Sequence, residues 1–197
     1  MDQAAHRISL PTPFSPAQWL GDHRGHDHSG AALQAWTTAN TMDWVEATPP
    51  EVVLTRGESI AERIERLIGE SRSSIDAAMY RLTSRRLARA LQEASARGVR
   101  VRLVLDRNKY DEAQVTREIL ADERLPFRLA YGRQGRGSKM HHKFALLDGS
   151  IALTGSYNWT VESEEDNYEN LLILREPKLI EVYRREFEAL WANASEL

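Results

Sequence analysis

Lys139-Met140-His141-His142-Lys143-Phe144-Ala145-Leu146-Leu147-Asp148-Gly149, followed shortly by Gly155-Ser156-Tyr157-Asn158-Trp159, is the stretch that decides how this chain is read. As a pattern it is H-x-K-x4-D-G and then G-S-x-N-W. In an extended segment alternate side chains share a face, so His141 and Lys143 point one way while His142 and Phe144 point the other. An imidazole and an ammonium therefore meet one ligand, and His142 is left with a structural role. Ser156 and Asn158 repeat the two-residue offset after Gly155, adding a hydroxyl and an amide suited to the non-bridging oxygens of a phosphate. Lysine is scarce, occurring only at Lys109, Lys139, Lys143 and Lys178, so a lysine inside the motif is not filler. Asp148-Gly149 has turn chemistry and predicts a hairpin joining strands at 142–147 and 151–154.

Outward from the motif, strands alternate with helices. Residues 51–55 read as a short strand and 57–69 as a helix with Ile60, Ile64, Leu67 and Ile68 on one face. Residues 73–80 are strand-like, Thr83 or Ser84 caps a helix through Arg97, and 99–105 is the next strand. A helix over 111–122, a strand over 126–130, a strand over 169–175 and a final helix beginning at Pro177 complete the pattern. The last helix carries Leu179, Ile180, Tyr183, Phe187 and Trp191 at helical spacing, an aromatic stripe that belongs to a core. The fold class expected is α/β, a mixed β-sheet sandwiched between helical layers.

At 197 residues one domain with an appendage is expected: residues 49–197 as the catalytic domain and 1–48 as a partly irregular N-terminal extension. That extension contains three prolines, a helical pattern from Ala31 to Glu46 with Trp36 and Trp44, and the donors Asp22, His23, His26, Asp27 and His28. No thiolate accompanies those donors, and the segment reads as a polar loop rather than a zinc site. The chain has no cysteine, which excludes disulfides, thiolate metal sites and a cysteine nucleophile. No apolar run suits a signal peptide or a membrane span, so a cytoplasmic protein is the expectation. The net charge of −3 argues against a chain that coats nucleic acid indiscriminately. Charge is nevertheless uneven: Arg133, Arg136, Lys139 and Lys143 occur without an intervening acid, a positive approach suited to a phosphodiester polyanion.

The two runs resemble the signature of the phospholipase D superfamily, H-x-K-x4-D with a downstream G-S-x-N. Asn167-Tyr168-Glu169-Asn170-Leu171-Leu172-Ile173 is similar to the N-x-E-N strand of its short, single-motif members, among them bacterial nucleases and the cardiolipin hydrolase and small-RNA endonuclease branch. Ser74 to Tyr80 and Gly98 to Asp106 are similar to the first two core strands of that family, and the resemblance spans roughly residues 51–193.

The resemblance implies a phosphodiesterase in which His141 attacks phosphorus to form a phosphohistidine while a second motif histidine protonates the leaving oxygen. Because one motif is present, it also implies a homodimer with both copies of His141 in one cleft. Lys143 and Asn158 would bind phosphate oxygens, Ser156 would help position the site, and Glu169 would accept the Nδ1 proton of His141. Asp148 would stabilise the hairpin or the electrostatics of the cleft. No metal and no cofactor is expected, since histidine and lysine supply the positive charge. The expected substrate is DNA or RNA, preferably single-stranded, with Arg133, Arg136 and Lys139 on the approach and Tyr131, Tyr157 and Trp159 as candidate stacking groups, Trp159 being equally a candidate for the core. A phospholipid headgroup ester is the alternative substrate, and a catalytically silent nucleic-acid-binding module is the alternative without turnover.

Overall fold

In the computed structural model, residues 48–196 are described; the expected N-terminal helix and the Asp22–His28 donors lie outside the described residues. Seven strands form one mixed sheet in the order β1-β7-β6-β5-β2-β3-β4. They are β1 (Glu51–Leu54), β2 (Ser74–Met79), β3 (Arg100–Asp106), β4 (Phe127–Ala130), β5 (Lys143–Leu147), β6 (Ile151–Gly155) and β7 (Asn170–Leu174). The helices among the described residues are α1 (Ile60–Glu70), α2 (Arg85–Ala96), α3 (Arg107–Glu112), α4 (Gln114–Asp122), α5 (Val161–Glu165) and α6 (Pro177–Asn193).

Each sheet face carries its own apolar core, as the expected sandwich requires. On one side Ile60, Ile64 and Ile68 of α1, Leu87 and Leu91 of α2 and Ile119 of α4 pack on Ile75, Ala77, Leu103 and Leu147. On the other side Ile180 and Phe187 of α6 cover Ala78, Val104, Phe144 and Leu146, with Tyr183 and Trp191 alongside. Both faces of the central strands are thus removed from water, which explains their nearly unbroken apolar sequence. Leu179, at the start of the α6 stripe, is 45 % exposed and lies outside this core.

One charge network crosses the second core. Asp76 of β2, nearly buried, accepts from Arg102 Nε at 2.7 Å and Nη2 at 2.9 Å, and Arg102 reaches Glu188 of α6 at 2.7 Å. The Arg102 guanidinium lies 4.9 Å from the Phe187 ring centroid and 5.3 Å from that of Trp191. Hydrogen bonding to Asp76 raises the pKa of Arg102 against the opposing effect of burial, so the charge persists where α6 docks.

Helix entries follow the capping chemistry. Ser59 caps α1 and Ser84 caps α2 through their hydroxyls, while Pro177 opens α6. The helix expected over 111–122 is instead two helices, because Ala113 is extended (φ −101°, ψ 100°) and Asp106 starts α3 directly at the end of β3.

The sheet polarity fixes where chemistry gathers. β2, β3 and β4 run parallel, while β5 is antiparallel to β2, β6 to β5, β7 to β6 and β1 to β7. The C-terminal ends of β1, β2, β3 and β6 therefore share one end of the sheet with the N-terminal ends of β5 and β7. Tyr80, Asp106, His141, Lys143, Ser156, Glu169 and Thr55 all stand at or just beyond those strand ends.

Candidate active site

His141 and His142 precede β5, yet the alternation read from sequence persists through them. Lys143 Nζ donates to the His141 carbonyl at 3.1 Å and lies 3.4 Å from Nδ1 and 3.5 Å from Nε2 of the same residue. His142 turns the other way: its Nε2 is 3.0 Å from Glu186 Oε1 on α6, and its ring stands edge-on to Phe144 at 5.4 Å. His142 thus fastens the entry of β5 to the helical layer while His141 faces the open end of the sheet.

Two residues that sequence reasoning did not single out shape this position. The Tyr80 ring, at the end of β2, lies 4.3 Å from the His141 ring, and Tyr80 N–H donates to the His142 carbonyl at 2.8 Å. Lys143, Lys109 and Lys139 place their ammonium groups 5.3, 5.8 and 6.0 Å from the Tyr80 ring centroid. Three of the chain's four lysines therefore stand around one aromatic ring, a cation–π arrangement that concentrates positive charge beside His141. The second residue is Asp106, which is 1 % exposed. Its Oδ1 accepts from Lys109 N–H at 2.9 Å and its Oδ2 from Met140 N–H at 2.8 Å, joining the start of α3 to the residue before His141.

The electrostatics follow from these contacts. Burial, then the charges of Lys143 and Lys139, hold the His141 pKa below its ordinary value, with Asp106 opposing them. The shift favours the neutral imidazole, with a nitrogen lone pair available. Burial also lowers the pKa of Lys143, and the Glu169 carboxylate acts against that shift.

The second motif reaches the same end of the sheet because Phe144 pairs with Thr154, which sets Gly155 and Ser156 beside the start of β5. Glycine is required at 155: a Cβ there would meet the Asn170 carbonyl oxygen at 2.2 Å. Ser156 Oγ donates to Glu169 Oε2 and accepts from both Asn170 N–H and Asn170 Nδ2 at 3.2 Å. Asn158 Oδ1 is buried without a hydrogen-bond partner, so this amide has unused capacity.

Glu169 makes no hydrogen bond to His141 among the described residues: its oxygens accept from Ser156 Oγ and from Asn167 Nδ2 at 3.3 Å, while the His141 nitrogens lie near Lys143 Nζ. Asp148 stands at the opposite end of β5 from His141, away from the site. There its carboxylate accepts from Ser73 N–H at 2.7 Å, Arg72 N–H at 2.9 Å and Ser74 N–H at 3.0 Å, contacts of the hairpin, the first of the two roles expected of it. Tyr157 and Trp159 are each 3 % exposed and belong to the first core, so neither can stack on a ligand. Tyr157 donates instead to Glu164 at 2.9 Å, and burial pushes its phenol pKa upward. Arg133, Arg136 and Lys139 are exposed as expected. Their loop is closed by the Gly132 and Gly135 bridge and by Ser138 N–H donating to the Gly135 carbonyl at 3.0 Å.

A mixed α/β sheet with helices on both faces, bearing a histidine–lysine pair and a serine–asparagine loop at one end, defines the phospholipase D-like class. A family model described as "Cardiolipin synthase, PLD-like domain" matches residues 64–191. The chain belongs to the phospholipase D-like superfamily, in its branch with a single H-x-K motif. It is 35 % identical over 141 residues to the mitochondrial cardiolipin hydrolase of Xenopus tropicalis, covering 70 % of this chain and 64 % of that protein. Against the mitochondrial cardiolipin hydrolase of Homo sapiens it is 34 % identical over 142 residues, covering 70 % and 53 %. The chain thus spans 53–64 % of these two relatives. Among solved structures, the phospholipase D family member Nuc from Salmonella typhimurium superposes with a TM-score of 0.67 at 24 % identity, covering 76 % of this chain and 99 % of Nuc. NucT from Helicobacter pylori gives 0.66 at 23 % identity, covering 76 % and 100 %. These last two likenesses establish the fold.

Proposed function

We propose that the chain is a metal-independent phosphodiesterase that cleaves nucleic acid, preferably single-stranded, at a site completed by a second copy of itself. The observation that carries the reading is the contact of His141 with Lys143 beside the Tyr80 ring, a neutral imidazole held next to concentrated positive charge. A phosphodiester repels hydroxide because it is anionic, so a neutral nitrogen nucleophile with an adjacent ammonium lowers that barrier. His141 Nε2 would bond to phosphorus as the bond to the leaving oxygen breaks, with Lys143 and Asn158 on the non-bridging oxygens. Ser156, held by Glu169 and Asn170, would support the same loop.

The leaving oxygen needs a proton, and among the described residues the site holds no second histidine on the same face as His141. A twofold partner would bring its own His141, protonated once the phosphate's negative charge offsets the surrounding lysines, as the acid; water then attacks phosphorus as the P–N bond breaks, and that second imidazole takes a proton from the water. The exposed Arg133, Arg136 and Lys139 favour an extended polyanion. Lipid ester hydrolysis is the second reading, favoured by the relatives named cardiolipin hydrolases. No helix among the described residues is long and apolar enough to cross a membrane.

The test is to incubate the protein and His141→Ala with labelled single-stranded oligonucleotides and with cardiolipin vesicles, each with a chelator. Oligonucleotide cleavage that survives chelation and is lost in His141→Ala is expected. Hydrolysis of vesicles alone removes the nuclease reading, and activity that returns only with a divalent ion removes the metal-independent one.

A further inference from the structure

Tyr168 is 81 % exposed, an unusual position for a large aromatic ring, and it immediately precedes Glu169, whose carboxylate holds Ser156. Its backbone is fixed on both sides by one residue. Thr55 Oγ1 donates to the Asn167 carbonyl at 3.0 Å and accepts from Glu169 N–H at 2.9 Å, while Thr55 N–H donates to the Glu169 carbonyl at 3.2 Å. The ring is therefore carried on a pinned segment at the same end of the sheet as His141.

The next residue after Thr55 supplies the second half of the feature. The Arg56 guanidinium lies 4.6 Å from the Tyr168 ring centroid. Arg56 is exposed and makes no ion pair among the described residues, unlike Arg63 on the following helix, which pairs with Glu51. A planar cation and an exposed ring thus stand together without an acidic partner, one residue away from the groups that hold the phosphate loop.

We propose that Tyr168 and Arg56 form a stacking subsite for an unpaired nucleobase next to the scissile phosphate. The proposal rests on the nuclease reading and deepens it. A nucleobase offers a flat π-face to the tyrosine ring and carbonyl acceptors to the guanidinium. Stacking of this kind tolerates any base and needs the base to be out of a duplex. It accounts for single-strand preference through a residue pair, in place of the buried Tyr157 and Trp159.

The experiment uses the full chain carrying His141→Ala, so that substrate is bound without being cut. Fluorescence anisotropy compares a short labelled oligothymidylate with an abasic strand of the same length. Tyr168→Ala is expected to weaken binding of the oligothymidylate by about ten-fold, and binding of the abasic strand by less than about two-fold. Tyr168→Phe, which keeps the ring, is expected to bind both strands as Tyr168 does. Equal weakening on both strands, or no weakening on either, overturns the subsite while oligonucleotide cleavage by the unsubstituted protein leaves the nuclease reading standing. If that protein leaves oligonucleotides intact and Tyr168→Ala reduces binding only to cardiolipin vesicles, the nuclease reading fails and the subsite fails with it.

Discussion

Replacing Asp106 tests whether the position of His141 is set by the end of β3. The carboxylate is 1 % exposed and makes two bonds that do different work. The bond from Lys109 N–H at 2.9 Å caps α3, a contribution of about 1 kcal/mol. The bond from Met140 N–H at 2.8 Å is buried and ionic on one side; its loss would leave a buried donor unpaired at a cost of about 2 to 3 kcal/mol. Asp106→Ala should therefore cost about 3 to 4 kcal/mol, a large share of the roughly 5 to 15 kcal/mol typical of a domain. Asp106→Asn keeps an oxygen for Lys109 but turns an amide NH2 toward Met140 N–H, so it should cost about 2 kcal/mol, nearly all of it at the His141 segment. Urea denaturation gives the stability, and hydrogen exchange of the Met140 amide localises the loss. The Met140 amide should be protected in the parent and exchange freely in both variants. If Asp106→Asn lies within about 0.5 kcal/mol of the parent and Met140 stays protected, Asp106 does not hold the active-site segment.

Tyr80→Leu removes the ring against which His141 and three lysines rest; kcat on a phosphodiester should fall by about ten-fold or more, with the fold retained by circular dichroism. The His141 pKa is lowered chiefly by burial and then by Lys143 and Lys139. Its ring protons followed by NMR should titrate below the ordinary 6.5, and Lys139→Ala should move the midpoint upward. Burial alone would raise the Asp148 pKa, but the N–H donors of Ser73, Ser74 and Arg72 outweigh it and the net shift is downward from 3.8. A depressed carboxylate stabilises the fold above its unfolded value and ceases to do so as pH falls through the folded one. Asp148→Ala should therefore cost about 2 kcal/mol at neutral pH, and the pH-dependent part of its difference from the parent should fade in acid well below pH 3.8, leaving the strain of Ala at a left-handed position.

Much of this arrangement was legible because two short-range rules suffice for it. Period-two alternation placed Lys143 with His141 and His142 with Phe144, even though the regular strand begins only at Lys143. Helical spacing located α1, α2 and α6, and the Asp-Gly pair located the hairpin. Asp148 (φ 53°) and Gly149 (φ 61°) both take the left-handed backbone, and Ser150 N–H closes the turn on the Leu147 carbonyl at 3.0 Å.

The same alternation, applied consistently to Ser156-Tyr157-Asn158-Trp159, would have turned Tyr157 and Trp159 inward. Proximity to the motif in sequence instead suggested a stacking role, and burial in the first core overrules it. Tyr80 and Asp106 were hidden for another reason. Their importance comes from strand register, with Met79 opposite Lys143 and β3 beside β2, and pairing between distant segments leaves no local mark. The break at Ala113 carries no glycine or proline; it follows from Asp106 capping a helix earlier than the apolar pattern begins.

The central claim is that each catalytic centre uses His141 from two copies of the chain. Its most direct measurement is activity after random reassembly of equal amounts of parent and His141→Ala protomers. If only fully parental pairs turn over, activity should fall to roughly a quarter of that of the same total amount of parent. Activity near one half, with the protein sedimenting as a single chain, would mean that each protomer works alone and would contradict the shared site.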